Sequence, residues 1–311
     1  MRRIDEHCAS GSAPASRRTA MLQLGALAGS GLLAAVAPAW AAASIGTATT
    51  RRMVSVGGAL TEIVYALQAD AELVGVDTTS LFPAQAQKLP SVGYARTLSA
   101  EGVLALAPTQ LIATEDAGPS AVLRQLTAAG VPVAVLAANH HFEGLLERIK
   151  RVGELTGRAA QATAMQQVLQ RDWAQSRSAI AQRAATKPVR VLFVLAHAPS
   201  QVMVSGLATS AHAMLEYAGA TNAVTGFSGY KPLTPEAAIA AQPDVILLTD
   251  QGLQAAGGID GVLRLPGLAQ SPAGRNRRVT SLEAMFLLGF GPRLPAAVSV
   301  LDTAIAKLMR S

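Results

Sequence analysis

A tyrosine and an arginine two residues apart, Tyr94 and Arg96, form the first pairing in this sequence with an evident chemical use. A phenol ordinarily titrates near pH ~10. A guanidinium beside it favours phenolate, a hard anionic oxygen donor suited to ferric iron, and tyrosinate is a known ligand of haem iron. The same order recurs far downstream as Tyr230 and Lys231. One site lined by both copies would hold two phenols and two cations. The cations could pair with carboxylates of a ligand, the arginine in bidentate fashion. A lone Tyr-x-Arg is an ordinary surface loop; its repetition is what argues for a site.

The repetition extends on both sides. Gly93-Tyr94-Ala95-Arg96-Thr97-Leu98-Ser99-Ala100-Glu101 and Gly229-Tyr230-Lys231-Pro232-Leu233-Thr234-Pro235-Glu236 share an order of residue types, with one position removed from the second. Seven residues after each glutamate stands a proline, Pro108 or Pro243, followed by an apolar run at 111–114 or 245–249. Ser99 suits a helix N-cap, and an acid in the first turn suits the helix dipole. A basic-aromatic loop, a capped helix and a buried strand therefore occur twice, as two similar lobes facing each other across a gap would require.

The elements that must hold these loops follow from periodicity. A strand at 53–56 runs into Gly57-Gly58, a helix follows at 61–67, and a second strand lies at 73–77. A loop through Pro83 and Pro90 leads to Tyr94; then come a helix from Leu98 or Ser99, a strand at 111–114, a helix at 120–129 and a strand at 131–136. Short, continuously apolar strands alternating with helices predict a parallel sheet covered on both faces. Ligands of such sheets sit beyond the carboxyl ends of the strands, where Gly57-Gly58, Asp77 and Glu115-Asp116 fall. From 143 the spacing predicts a helix to about Leu155 and a longer one from Arg158 to Arg183, spanning about 40 Å. A strand at 189–195 ending at Ala196-His197, a helix at 210–218, a strand at 278–281 and a closing helix at 295–309 complete the second lobe. The expected fold is α/β, two Rossmann-like lobes with parallel sheets joined by one long backbone α-helix. The expected bounds are 44–142 for the first lobe, 143–187 for the linking helices and 188–311 for the second lobe.

The chain has 311 residues, enough for two cores, and its 50% hydrophobic and 15% charged content marks it as globular. Residues 1–43 carry four arginines and two acids, so the net +6 falls to +4 beyond them, with 22 basic against 18 acidic side chains. That mild excess favours an anionic ligand. No basic run interleaved with aromatics points to nucleic acid. Arg17-Arg18 precede an apolar run from Ala20 to Ala37 broken by Gly25, Gly29 and Gly31. Small residues then offer cleavage near Ala41 or Ala43. This reads as an export signal that resembles the twin-arginine type, by that route or the general one, and it predicts a mature chain in the periplasm. An uncleaved anchor is the other reading, but the glycines make this run a poor span. Cys8, the only cysteine, lies in this leader, so the mature chain has neither disulfides nor thiolate ligands. Walker, His-Glu-x-x-His and Gly-x-Ser-x-Gly motifs are all missing.

The remaining polar candidates are weaker. His197 follows a strand of the second lobe and could approach a ligand from the side opposite Tyr94, or serve as a hydrogen-bonded loop residue. His140 and His141 precede a helix and read as capping neighbours; His212 lies inside a helical pattern and reads as structural. Arg275, Arg277 and Arg278 cluster before a strand, either as a solvated loop or as a contact for an anionic ligand or partner. Trp173 belongs to the apolar face of the long helix, and Trp40 to the leader.

Several of these runs together resemble a known family, the periplasmic haemin-binding proteins of bacterial ABC importers. The resemblance rests on 57–67, on 75–80, on Leu89-Pro90-Ser91-Val92-Gly93-Tyr94-Ala95-Arg96, on Glu115-Asp116-Ala117-Gly118-Pro119, on 229–233 and on Gly289-Phe290-Gly291-Pro292-Arg293. It covers nearly all of the mature chain, within the wider helical-backbone group of binding proteins. It implies a haem carrier that catalyses no reaction, with haem as transported ligand and Tyr94 as axial iron ligand. Arg96 would be its hydrogen-bonding neighbour, Tyr230 and Lys231 would support the haem, and His197 is a possible second ligand. Glu101 and Glu236, one per lobe, would dock on an inner-membrane ABC permease with its ATPase, downstream of an outer-membrane haem receptor. The carrier would act as a monomer. A siderophore or corrinoid carrier on the same scaffold is the alternative within the group. A periplasmic metal-dependent enzyme would need a His/carboxylate set at ligand spacing, which this sequence lacks.

Overall fold

Continuous burial is what makes the first strands. In the computed structural model, which describes residues 51–137, 139–183, 188–198 and 201–310, all four residues of β1 (Met53–Val56) are buried. It lies between β2 (Leu73–Val76) and β3 (Gln110–Thr114), with β4 (Val133–Leu136) outside, in the order β2-β1-β3-β4 and wholly parallel. The connecting helices are α1 (Gly58–Ala66), α2 (Ala100–Leu104) and α3 (Ser120–Ala128). Ser99 caps α2 through its hydroxyl, which accepts from the Gly102 amide at 3.3 Å. The leader, with Cys8, Trp40 and both cleavage positions, lies outside the described residues.

Next come α4 (Phe142–Thr156) and the 25-residue α5 (Ala159–Arg183), which agree with the helices expected from spacing. Gly157, at φ 71, ends α4 in the left-handed conformation that glycine adopts freely. At Gly153 a Cβ would stand 2.5 Å from the Ala162 side chain, so the two helices can approach closely there. Trp173 of α5 stacks on Phe142 of α4, centroids 4.7 Å apart, and meets the edge of Tyr217 at the same distance. Such ring pairs contribute about 0.5–1.5 kcal/mol each beyond area burial.

The second sheet departs from the expectation of parallel strands. It contains β5 (Arg190–Ala198), β6 (Gln201–Ser205), β7 (Thr221–Asn222), β8 (Tyr230–Pro232), β9 (Val245–Thr249) and β10 (Val279–Leu282), in the order β10-β9-β5-β6-β8 with β7 on β5. β10, β9, β5 and β7 are parallel, whereas β6 runs against both β5 and β8. Only residues 199–200 separate β5 from β6. So short a connection reaches an antiparallel neighbour, while a parallel return needs about a dozen residues or more. The helices of this half are α6 (Ser210–Tyr217), α7 (Pro235–Ala241), α8 (Asp250–Ala255), α9 (Gly258–Leu263), α10 (Pro272–Arg275), α11 (Ala284–Leu288) and α12 (Leu294–Arg310).

Residues 49–311 form one compact unit, and its core explains why. A single cluster of buried side chains runs from Met53 and Leu60 through Ile149 of α4 and Leu169 of α5 to Phe193, Leu247 and Val298 of the second half. The outer face of each sheet has its own smaller cluster. Two polar ties reach the second half, one from the linking helix α4 and one from α1 of the first half. Arg148, almost fully buried on α4, donates to the Phe290 carbonyl at 2.6 Å. Arg293, just before α12, donates Nε to Glu62 of α1 at 2.9 Å with a second bond from Nη2. Its guanidinium also lies 4.1 Å from the centroid of Phe82 and 5.1 Å from that of Phe286. Among the described residues no helix is long and apolar enough to cross a membrane.

Candidate functional site

Tyr94 is presented by a loop that the backbone pins to the end of β2. The Val76 amide donates to the Pro90 carbonyl, Val92 returns a bond to Val76, and Thr78 donates to Gly93. Gly93, at φ 89, turns the chain. Beyond it a short 3-10 turn (Ala95–Thr97) is sewn to the loop after β3, Gly118 donating to the Ala95 carbonyl and Leu98 to that of Gly118, each at 2.8 Å. Ala95 and Leu98 are buried beneath, and the Tyr94 side chain stands 44% exposed above them. Its hydroxyl has no hydrogen-bond partner among the described residues.

The same backbone bonds bring Asp116 beside Arg96. Nε and Nη2 of Arg96 both donate to Asp116 Oδ2, at 3.0 and 2.8 Å. Arg96 is held above its ordinary value first by that hydrogen bond; partial burial opposes it, and Tyr94, Asp116 and Tyr230 add to the rise. Asp116 lies below the usual carboxylate range, because the Thr114 hydroxyl and the Arg96 guanidinium together outweigh its partial burial. The influence of Tyr230 on Arg96 is the meeting of the two halves: a phenol of the second sheet lies close enough to bias a cation of the first.

On its own side Tyr230 opens β8 and pairs with Ser205 of β6. It is half-buried, and burial pushes its phenol up, while Ser210 and Thr209, within hydrogen-bonding reach, and Arg96 pull the other way. Lys231 is exposed, its Nζ 4.8 Å above the Phe227 ring. Glu101 and Glu236 occupy matching places, each exposed in the first turn of a short helix, α2 or α7. Thr234 caps α7 as Ser99 caps α2, accepting from the Ala237 amide at 3.2 Å. Neither glutamate makes an ion pair among the described residues.

The histidines divide. His197 lies in β5, and its side chain is outside the described part of the molecule. His141 takes the N-cap position of α4, as its place in the sequence suggested, but its side chain makes no capping bond. His140 is half-buried, 5.5 Å from the Phe290 ring, and burial lowers its pKa. His212 lies in α6 with Nε2 3.5 Å from Glu216. Arg277 pairs with Asp260 at 2.7 Å and Arg275 donates to the Gln270 carbonyl. These arginines precede β10, at the amino end of its parallel neighbours and away from the strand ends that face a ligand.

Asp116 was visible in the sequence only as an acid at a strand end; nothing there linked it to Arg96, twenty residues away. Glu62 and Arg293 were likewise missed as a pair, though an acid inside an otherwise apolar helix was a signal. A hollow of about 410 Å³ beside them is lined by Tyr65, Phe82, Pro83, Gln85, Pro292 and Arg293 and does not include Tyr94.

A family model described as periplasmic binding protein matches residues 53–285. The chain belongs to the periplasmic binding protein family. Two solved structures of that build are similar along most of its length. The periplasmic heme-binding protein BhuT, in complex with two hemes, is 44% identical with a TM-score of 0.80, covering 83% of this chain and 99% of that one. The periplasmic heme-binding protein RhuT from Roseiflexus sp. RS-1, in apo form, is 40% identical with the same TM-score and the same coverage. YvrC of Bacillus subtilis (strain 168), described as an uncharacterized ABC transporter substrate-binding lipoprotein, is 26% identical over 257 residues, 82% of this chain and 80% of its own. In this chain Tyr94 and Arg96 of the first half and Tyr230 of the second lie close enough for both phenols to act on the one guanidinium.

Proposed function

We propose that this protein is a periplasmic haem carrier of an ABC importer, and that the Tyr94 phenolate grips the ferric iron between the two halves. The observation that carries the reading is the exposed, unpartnered Tyr94 hydroxyl beside Arg96 and opposite Tyr230. It occurs on a fold shared with heme-binding proteins at 40–44% identity. Arg96 and Lys231 would meet the carboxylates of haem, Tyr230 would form the facing wall, and His197 would serve as a second ligand. On this reading the lobes are 44–142 and 188–311, joined by 143–187. Residues 1–43 are the leader removed on export, and Glu101 and Glu236 dock the loaded monomer on its inner-membrane permease and ATPase. An outer-membrane haem receptor supplies the periplasm. No bond of the ligand is made or broken.

Haemin titration followed by absorption tests this directly. The wild-type chain should saturate with a ferric-phenolate charge-transfer band, and Tyr94→Ala should lose the band and most of the affinity. A spectrum unchanged by haemin, or identical in the two proteins, overturns the reading. Competition with a cobalamin separates a haem carrier from a corrinoid carrier.

A further inference from the structure

We infer that Asp116 is a positioning residue for the haem site, its main effect on the ligand passing through Arg96. The inference rests on the haem reading above. Arg96 extends from a short surface turn, and its side chain is 62% exposed. A long, solvated arginine samples many rotamers, and fixing it opposes binding by the entropy lost. Here the protein itself fixes it. Two nitrogens on one edge of the guanidinium converge on a single oxygen of Asp116, which among the described residues leaves Nη1 and the outer hydrogens of the fork without a protein acceptor. Those remaining donors belong to the cation whose electrostatic neighbours include Tyr94 and Tyr230. Asp116 can do this because its own loop is locked to the Arg96 turn. Ala117 donates to the Thr114 carbonyl at 3.0 Å, and the paired bonds between Ala95, Leu98 and Gly118 hold the two segments in register. A donor oriented before encounter binds more tightly than one oriented by the ligand.

Asp116 has a second effect of opposite sign. With haem bound, its negative charge would oppose those of the phenolate and the propionates, which taken alone would weaken capture. At 48% side-chain exposure that repulsion is screened by water, whereas orientation of the fork is not. The asparagine variant separates the two, since its amide oxygen still accepts from Arg96 without the charge.

Haemin dissociation constants for the full mature chain, its Asp116→Ala, Asp116→Asn and Arg96→Ala variants and the Arg96→Ala/Asp116→Ala double variant provide the test. Thermal unfolding confirms that each is folded; an exposed ion pair of this kind contributes little to stability. Asp116→Ala should weaken haemin binding about tenfold, within the range of couplings between touching residues. Asp116→Asn should recover part of that loss, and Asp116→Ala should change little once Arg96 is alanine. Binding as tight or tighter in Asp116→Ala, an equal loss with and without Arg96, or an asparagine variant no better than alanine would each overturn the positioning role. A wild-type chain that leaves haemin unbound removes the haem reading and this inference together. Wild-type binding with an unaffected Asp116→Ala removes the inference alone.

Discussion

The two copies of the Gly-Tyr-basic segment end in different surroundings. Tyr94 stands in a loop on a buried ledge of Ala95 and Leu98, its hydroxyl unengaged among the described residues. Tyr230 begins an edge strand, half-buried, with the hydroxyls of Ser210 and Thr209 within reach. Arg96 is forked onto a carboxylate, whereas Lys231 rests over the face of Phe227. What the copies keep in common is the turn and the capped helix that presents a glutamate. A repeated order of residues thus reproduces the glycine turn and the helix cap, while the backbone between them differs, a 3-10 turn in one copy and a strand in the other. The neighbours of each copy are supplied by other segments, the loop after β3 on one side and β6 with the start of α6 on the other.

Where the copies agree, removing both should have the largest effect. Glu101→Ala with Glu236→Ala should abolish uptake through the permease while haemin affinity stays unchanged; transport that survives would leave the glutamates as first-turn charges serving the helix dipole. Next comes the contrast between phenols. Tyr94→Phe should weaken haemin about 100-fold, or ~2.7 kcal/mol, against a change below about threefold, or ~0.7 kcal/mol, for Tyr230→Phe; equal losses would make the halves equivalent. Tyr230→Phe should register in folding instead, at about 1 kcal/mol for the lost hydrogen bond and a midpoint lower by roughly 2–4 °C. Lys231→Met should be smaller still, no more than about 0.5–1 kcal/mol in stability, with any effect on haemin fading as salt rises.

The last prediction is one of sign. Burial raises the Glu62 carboxyl above its ordinary 4.5, in spite of Arg293. The folded protein therefore keeps this proton at pH values where the unfolded chain has released it. Its stabilising contribution is complete below the ordinary value and is lost as pH rises through the raised one. Unfolding free energies of the wild type and Glu62→Gln should diverge with pH in that sense, the wild type losing stability relative to the variant as pH rises. Parallel curves would show that Arg293 offsets the burial fully.

Much of this was legible in the chain. Apolar runs gave the parallel strands of the first half, the Ser99 cap was readable from its side chain, and the long helix ends at Arg183 as its spacing required. The β6–β8 edge was not. β6 offers an apolar run of only three residues, at 202–204, and β8 is three residues long and contains Pro232, which speaks against a strand. Proline is tolerated there because β8 has a neighbour on one side only. The Arg96–Asp116 fork was hidden for another reason: it depends on two loops meeting through main-chain bonds that leave no residue signature. Arg96 was expected at the Tyr94 hydroxyl, and among the described residues its side-chain hydrogen bonds go to Asp116.

The clamp of Arg293 on Glu62, between Phe82 and Phe286, bears on how such a molecule can work. Spreading the halves apart would lift the guanidinium off the Phe82 ring and strand the Glu62 carboxylate in an apolar wall. Breaking a buried pair in this way costs about 3–5 kcal/mol. On the carrier reading proposed above, such a clamp would oppose any widening of the gap, so the folded width would set how thick a cargo fits and the partner would have to supply the work of release.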